Sequence, residues 1–173
     1  MSTLAIRQSL VEIASRDVGK KEVTRNRAPW IAKYWPATTL PNGHADRQPY
    51  CAAAVCYWVR EWLALPEVLA AMKMTPARAE RWRCKSAAAF GWLDWAAARK
   101  LEVLSDGPTE RLRVGDLMIF DVSHIGIVRD DDGGNVWTIE ANTGNGSMRD
   151  GDGCWERKRD RSAARAFVRL IEP

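Results

Sequence analysis

At 173 residues the chain fits one domain with a single core. Hydrophobic content of 46% and charged content of 28% are those of an ordinary globular protein, and no apolar run reaches the ~18 residues of a membrane helix. The net charge of +4 favours anionic partners such as a cell wall or acidic lipid. Acids interrupt both basic clusters, Arg78–Arg83 and Glu156–Arg161, and no nucleic-acid motif accompanies them, so they read as solvated faces and no nucleic-acid partner is expected.

Apolar spacing predicts an amphipathic helix from Leu4 to Val18, with Leu10, Ile13, Ala14 and Val18 on one face and Gly19 as its stop. Pro29 to Trp35 forms a second short helix with Pro29 in its first turn. A loop marked by Pro36, Pro41-Asn42-Gly43 and Pro49 leads to a helix over Cys51–Leu63, whose apolar stripe is Val55, Trp58, Val59 and Trp62. Further helices span Pro66–Met74 and Ser86–Lys100, linked by the basic segment around Arg81.

After Leu101 the pattern changes to short strands: Leu101–Leu104, Asp116–Phe120, His124–Arg129, Asn135–Ala141 and Ala166–Ile171. Helices first and a strand meander second predict a single α+β domain over residues 1–173 with a mainly antiparallel sheet. The glycine-rich stretch from Gly144 to Gly153 reads as a mobile loop between the last two strands.

The four cysteines, Cys51, Cys56, Cys84 and Cys154, show no metal-type spacing, and neither histidine sits at ligand spacing, so no metal and no cofactor are expected. A Cys84–Cys154 disulfide stays open. Reduced thiols fit better, because Met1 to Arg7 lacks the basic-then-apolar pattern of a secretory signal. The expectation is a protein made in the cytoplasm that needs separate delivery to any substrate outside it.

Cys51 stands where a turn becomes a helix. Unpaired N–H groups and the positive end of the helix dipole favour a thiolate there, and the amides of Ala52, Ala53 and Ala54 offer an oxyanion site. Cys56 lies more than one turn further in, away from those amides. His124 leads an apolar strand and is one of only two histidines, the other, His44, falling in the Pro-Asn-Gly loop.

The strands around Asp131-Asp132-Gly133-Gly134-Asn135 form a hairpin. Matching their apolar faces pairs Ile125 with Ala141 and Ile127 with Ile139, which sets His124 opposite Asn142 and Gly126 opposite Glu140. Glu140 and Asn142 then both point to the face of His124, and either is able to fix its tautomer. Thiol, imidazole, and carboxylate or amide are the parts of a cysteine hydrolase.

Several ordered segments resemble one family. These are Val18-Gly19-Lys20-Lys21-Glu22, Asn26-Arg27-Ala28-Pro29, Pro49-Tyr50-Cys51-Ala52-Ala53, Gly115-Asp116-Leu117, His124-Ile125-Gly126-Ile127-Val128 and Thr138-Ile139-Glu140-Ala141-Asn142-Thr143. Together they resemble the CHAP family, the cysteine- and histidine-dependent amidohydrolases/peptidases of bacterial cell walls, in the papain-like and NlpC-type group. The resemblance implies a papain-like fold, with N-terminal helices packed on the sheet. It implies Cys51 as nucleophile, His124 as general base, Glu140 as the orienting third residue and Asn142 as a supporting group.

Gln48 is a candidate oxyanion donor. Tyr50 stands where the family commonly has Trp, which makes it a candidate substrate-binding residue, and Trp35 and Trp155, nearest the loops, are candidate groove walls. Asp46 stands alone before Cys51, so the calcium site of some family members is not expected. The implied substrate is a peptide-stem or cross-bridge amide of peptidoglycan. The implied setting is a phage or prophage lysin released through a holin, or an antibacterial effector that is exported by a secretion machine and met by an immunity protein. A monomer is expected. The competing readings are a wall-binding or assembly module without activity, and a cysteine protease acting on proteins.

Overall fold

Ser2 opens the first helix by accepting the Ala5 N–H on its hydroxyl at 3.3 Å. This is the start of a computed structural model that describes residues 2–105, 111–144 and 150–171. Helix α1 (Thr3–Ser15) buries Leu10, Ile13 and Ala14, as its spacing predicts, together with Ile6, whereas Val18 is exposed. It ends before Val18, because the chain turns to bring Asp17 inside and to give the Gly19 N–H to the Cys154 carbonyl at 2.8 Å.

Asp17 is 1% exposed and accepts hydrogen bonds from Lys20, Lys33, Tyr34 and Trp58. One carboxylate thus ties α1 to a 3-10 segment (Pro29–Ala37) and to α2 (Cys51–Leu63).

Helices α3 (Pro66–Ala71), α4 (Pro76–Trp82) and α5 (Gly91–Ala98) follow. The basic segment around Arg81 is therefore a helix, not a linker. Thr75 caps it by accepting the Arg78 N–H, and Pro76 stands in its first turn. The last helix is shorter than expected, since residues 84–86 are irregular and 87–89 bend before it.

The sheet has the order β1-β6-β2-β3-β4-β5, and every described pairing is antiparallel. Its strands are β1 (Val103–Ser105), β2 (Leu117–Phe120), β3 (His124–Asp131), β4 (Asn135–Thr143), β5 (Gly153–Asp160) and β6 (Ala164–Val168). Strand β5 lies where the sequence reading had only the glycine-rich loop and a basic tail. Residues 145–149 of that loop lie outside the described residues. In β5 Arg157 and Arg159 alternate with Glu156, Lys158 and Asp160, and a strand written in charges carries no apolar alternation to read.

Leu117, Ile119, Ile125, Ile127, Ile139, Ala141, Cys154 and Val168 join the core against the helices. Met118, Phe120, Val128, Val136 and Phe167 form a second, smaller cluster on the opposite face with Leu112. The architecture is thus α+β, with the N-terminal helices packed against a mainly antiparallel sheet.

The Gly115-Asp116 pair holds this frame rather than the site. Gly115 has φ +85°, and a Cβ there would stand 3.2 Å from the Arg7 carbonyl. Asp116 is buried, bonds the Arg113 N–H at 2.9 Å, and pairs with Arg169, which follows β6, at 3.2 Å. All four cysteines are free and buried. The Cys84–Cys154 bridge is not formed; Cys84 lies beside Cys56 instead, and Cys154 sits in β5.

Candidate active site

Tyr50 precedes α2 without a side-chain cap, and the first backbone bond of the helix runs from the Ala54 N–H to the Tyr50 carbonyl at 2.9 Å. The amides of Cys51, Ala52 and Ala53 therefore stand at the open end of the helix. Ala52, Ala53 and Ala54 are completely buried, and their small side chains let α2 lie close to β3 and β4. Cys51 is 5% exposed at this end.

His124 begins β3 opposite Phe120 and is fully buried. Its Nε2 bonds Glu140 Oε2 at 2.9 Å. No hydrogen bond closes on Nδ1, yet the Cys51 thiol is near enough to the ring to raise its proton affinity. Burial pushes the imidazole pKa down, but Cys51 and Glu140 outweigh it and raise the group to about 9. Cys51, His124 and Glu140 are thus brought together, from one helix start and two strands.

Glu140 is itself fully buried, and burial pushes its pKa up. Arg159 and then His124 reverse that, holding the carboxyl at about 2. Arg159 forks onto it, Nε to Oε1 at 2.8 Å and Nη2 to Oε2 at 2.6 Å, and Thr138 donates its hydroxyl to Oε1. The carboxylate is anionic, and its orientation is fixed from two strands.

Sequence reasoning missed Arg159, because it rides on the unread strand. Thr138 was inside a quoted motif without a role. Room for the carboxylate comes from Gly126, where a Cβ would meet Glu140 Cγ at 2.7 Å.

The hairpin register holds where burial demands it, at Ile127↔Ile139 and Val128↔Thr138, and shifts by one residue beyond Val128. At the other end of β4 the pairing with β5 jumps from Ala141↔Cys154 to Thr143↔Gly153, leaving Asn142 as the extra residue of a bulge at φ +57°. The bulge turns Thr143 to the Glu140 face, where Arg159 Nη2 bonds its hydroxyl at 3.0 Å. Asn142 is buried, and neither atom of its carboxamide has a hydrogen-bond partner. Of the two candidates left open for orienting His124, Glu140 makes the bond and Asn142 does not.

A cleft of about 140 Å³ reaches Cys51, bounded by Trp35, Leu40, Gln48, Pro49, Ser123 and the run Ala87–Ala89. Gln48 is exposed on its rim. Trp35 is 1% exposed, and its ring fills the space where a Cβ on Gly43 would stand at 2.2 Å.

Tyr50 does not line this cleft. It is fully buried, stacked with Tyr34 at 6.1 Å and edge-on to Trp30 at 5.8 Å, so it supports the start of α2 from within. Trp155 does not line it either. It lies half-buried on β5, donating Nε1 to Asp152 at 2.9 Å, with Lys21 and Arg157 over its ring. His44 has a local use, its Nε2 meeting the Ala28 carbonyl at 3.0 Å.

Compared with known proteins, the sequence matches no family model and no curated protein significantly.

Proposed function

We propose that this chain is a cysteine amidohydrolase/peptidase of the CHAP type, with a papain-like fold, acting on a stem-peptide or cross-bridge amide of peptidoglycan. The observation that carries the reading is the buried chain of groups behind a cleft: the Cys51 thiol beside His124, and His124 Nε2 on Glu140 at 2.9 Å. The wall substrate rests on the sequence resemblance and on the net charge of +4.

In this mechanism Cys51 passes its proton to His124, and the sulfur attacks the amide carbonyl carbon. The oxyanion meets the open amides at the start of α2, with Gln48 as a further donor from the rim. His124 then protonates the leaving nitrogen, the C–N bond breaks and a thioester remains. Water attacks that thioester while His124 takes its proton, and the carbon–sulfur bond breaks to release the acid and the thiol. Glu140 stays anionic throughout and holds the ring in register.

The protein is made in the cytoplasm and reaches the wall as a lysin through a holin or as an exported effector, working as a monomer. The test is digestion of purified peptidoglycan by the wild type and by Cys51→Ala, with products identified by mass. Stem-peptide fragments released by the wild type alone support the hydrolase. Equal release by both removes Cys51 from the chemistry. Binding without release by either favours a wall-binding module, and cleavage of casein but not of wall points to a protease of proteins.

A further inference from the structure

Two thiols that this mechanism does not use lie against each other inside the protein. Cys56, on α2 beyond Cys51, is 0% exposed, and Cys84, just after α4, is 2% exposed. One residue engages both sulfurs: the Cys56 S–H donates to the Ser86 carbonyl at 3.3 Å, and the Ser86 N–H donates to Cys84 Sγ at 3.5 Å. The two sulfurs are also near enough to shift each other's proton affinity. Among the described residues no third His, Cys, Asp or Glu joins them to make a metal-ligand set.

The chain running on from Ser86 is Ala87–Ala89, one wall of the cleft over Cys51. The pair therefore joins the helix that starts with Cys51 to the segment that walls its cleft.

We propose that Cys56 and Cys84 form an oxidation site, which a peroxide converts to a disulfide that fastens the cleft wall to α2. Cys84 is the attacking sulfur. The Cys56 thiol, then the N–H groups of Ser86 and Lys85 and the Arg83 guanidinium, hold the Cys84 thiol below its ordinary range against the opposing effect of burial. Burial pushes Cys56 well up, which keeps it protonated until the second step.

The Cys84 thiolate attacks one peroxide oxygen and the O–O bond breaks. Hydroxide leaves, is protonated to water, and Cys84 becomes a sulfenic acid. The Cys56 sulfur then attacks Cys84, the S–O bond breaks, and the Cys56 proton leaves with the oxygen as a second water. Two electrons from two thiols have reduced one peroxide to two waters. The bond closes a loop that contains α3 and α4, and raises Tm by about 5–10 °C. None of this depends on what Cys51 does.

The experiment exposes the full chain to hydrogen peroxide, unfolds it in N-ethylmaleimide and maps the cysteine peptides by mass. The expected result is a Cys56–Cys84 linked pair, two hydrogens lighter than the reduced peptides, reversed by dithiothreitol and accompanied by the rise in Tm. A Cys84→Ala chain gives neither the link nor the rise; the wild-type map stands without it should that variant fail to fold. Any other fate of the two sulfurs overturns the proposal, whether both alkylated, Cys84 over-oxidised with Cys56 free, or either one linked elsewhere.

Discussion

Arg159 on β5 grips Glu140 on β4 through both guanidinium positions, Nε and Nη2, and in doing so makes a buried carboxylate tolerable. Without the cation, an anion at a fully buried position would shed its charge by taking up a proton. The Glu140–Arg159 pair thus underlies the Glu140–His124 bond, and a strand with no apolar alternation fixes a buried side chain of its neighbour.

Replacing Arg159 by Met is expected to cost about 3 kcal/mol or more of stability, because it leaves a buried carboxylate with its cation removed. Denaturant unfolding measures this. The Glu140 pKa also rises from its value of about 2, so the acid limb of the pH–activity profile moves to higher pH. A normal unfolding midpoint together with an unmoved acid limb would show that Arg159 does not support Glu140.

His124 is expected to titrate near pH 9 in the folded chain, followed by imidazole proton resonances. With only two histidines, His44→Asn assigns the signals. Its folded pKa lies above the ordinary value of 6.5, so its contribution to stability is complete below about 6.5 and fades as pH rises through about 9. Glu140→Gln removes one of the two groups that raise it, and the titration moves to lower pH.

Gly126→Ala puts a methyl group 2.7 Å from Glu140 Cγ and 3.1 Å from the Ile139 carbonyl. Either the carboxylate or the strand must shift, at a cost of about 1–3 kcal/mol. Under the proposed function, activity on peptidoglycan falls at least about tenfold, because a small misplacement of a positioning group is costly in rate. Full activity with unchanged stability would mean that the carboxylate position is unimportant.

Asp17→Asn is expected to destabilise the protein by about 1–2 kcal/mol, since the buried side chain loses the charge that holds its four donors, while the two lysine ammonium groups are exposed enough to turn to solvent. Burial alone would raise the Asp17 pKa, but Lys20, Lys33, Trp58 and Tyr34 together lower it. A depressed folded pKa contributes stability above the ordinary value of 3.8, and this is lost as pH falls through the folded pKa. Wild type should therefore lose more stability than Asp17→Asn on going from neutral to strongly acid solution, as paired urea titrations would show.

Cys51, His124 and Glu140 were legible because each sits at a junction that the hydrophobic pattern marks: a helix start, a strand start, a strand face. Ile127↔Ile139 followed from matching apolar faces, and Glu140 came to the side of His124 with it. Asn142 was misjudged because alternation assumes one residue per step, whereas the bulge inserts one that does not count. Tyr50 was misread for a different reason. Its neighbours in sequence are the loop and Cys51, but its neighbours in space are Tyr34 and Trp30, and only the fold brings them there. Helix α4 carried its start signal in Thr75-Pro76 and was hidden by its charges.

The depth of Cys51 bears on the shape of whatever it meets. A cysteine 5% exposed, in the lining of a cleft of about 140 Å³, is a poor target for the convex face of a folded domain. A single extended strand, one residue wide, can be threaded to it. The free ends and short bridges of a polymer mesh have that form, whereas a folded protein would first have to unravel a loop.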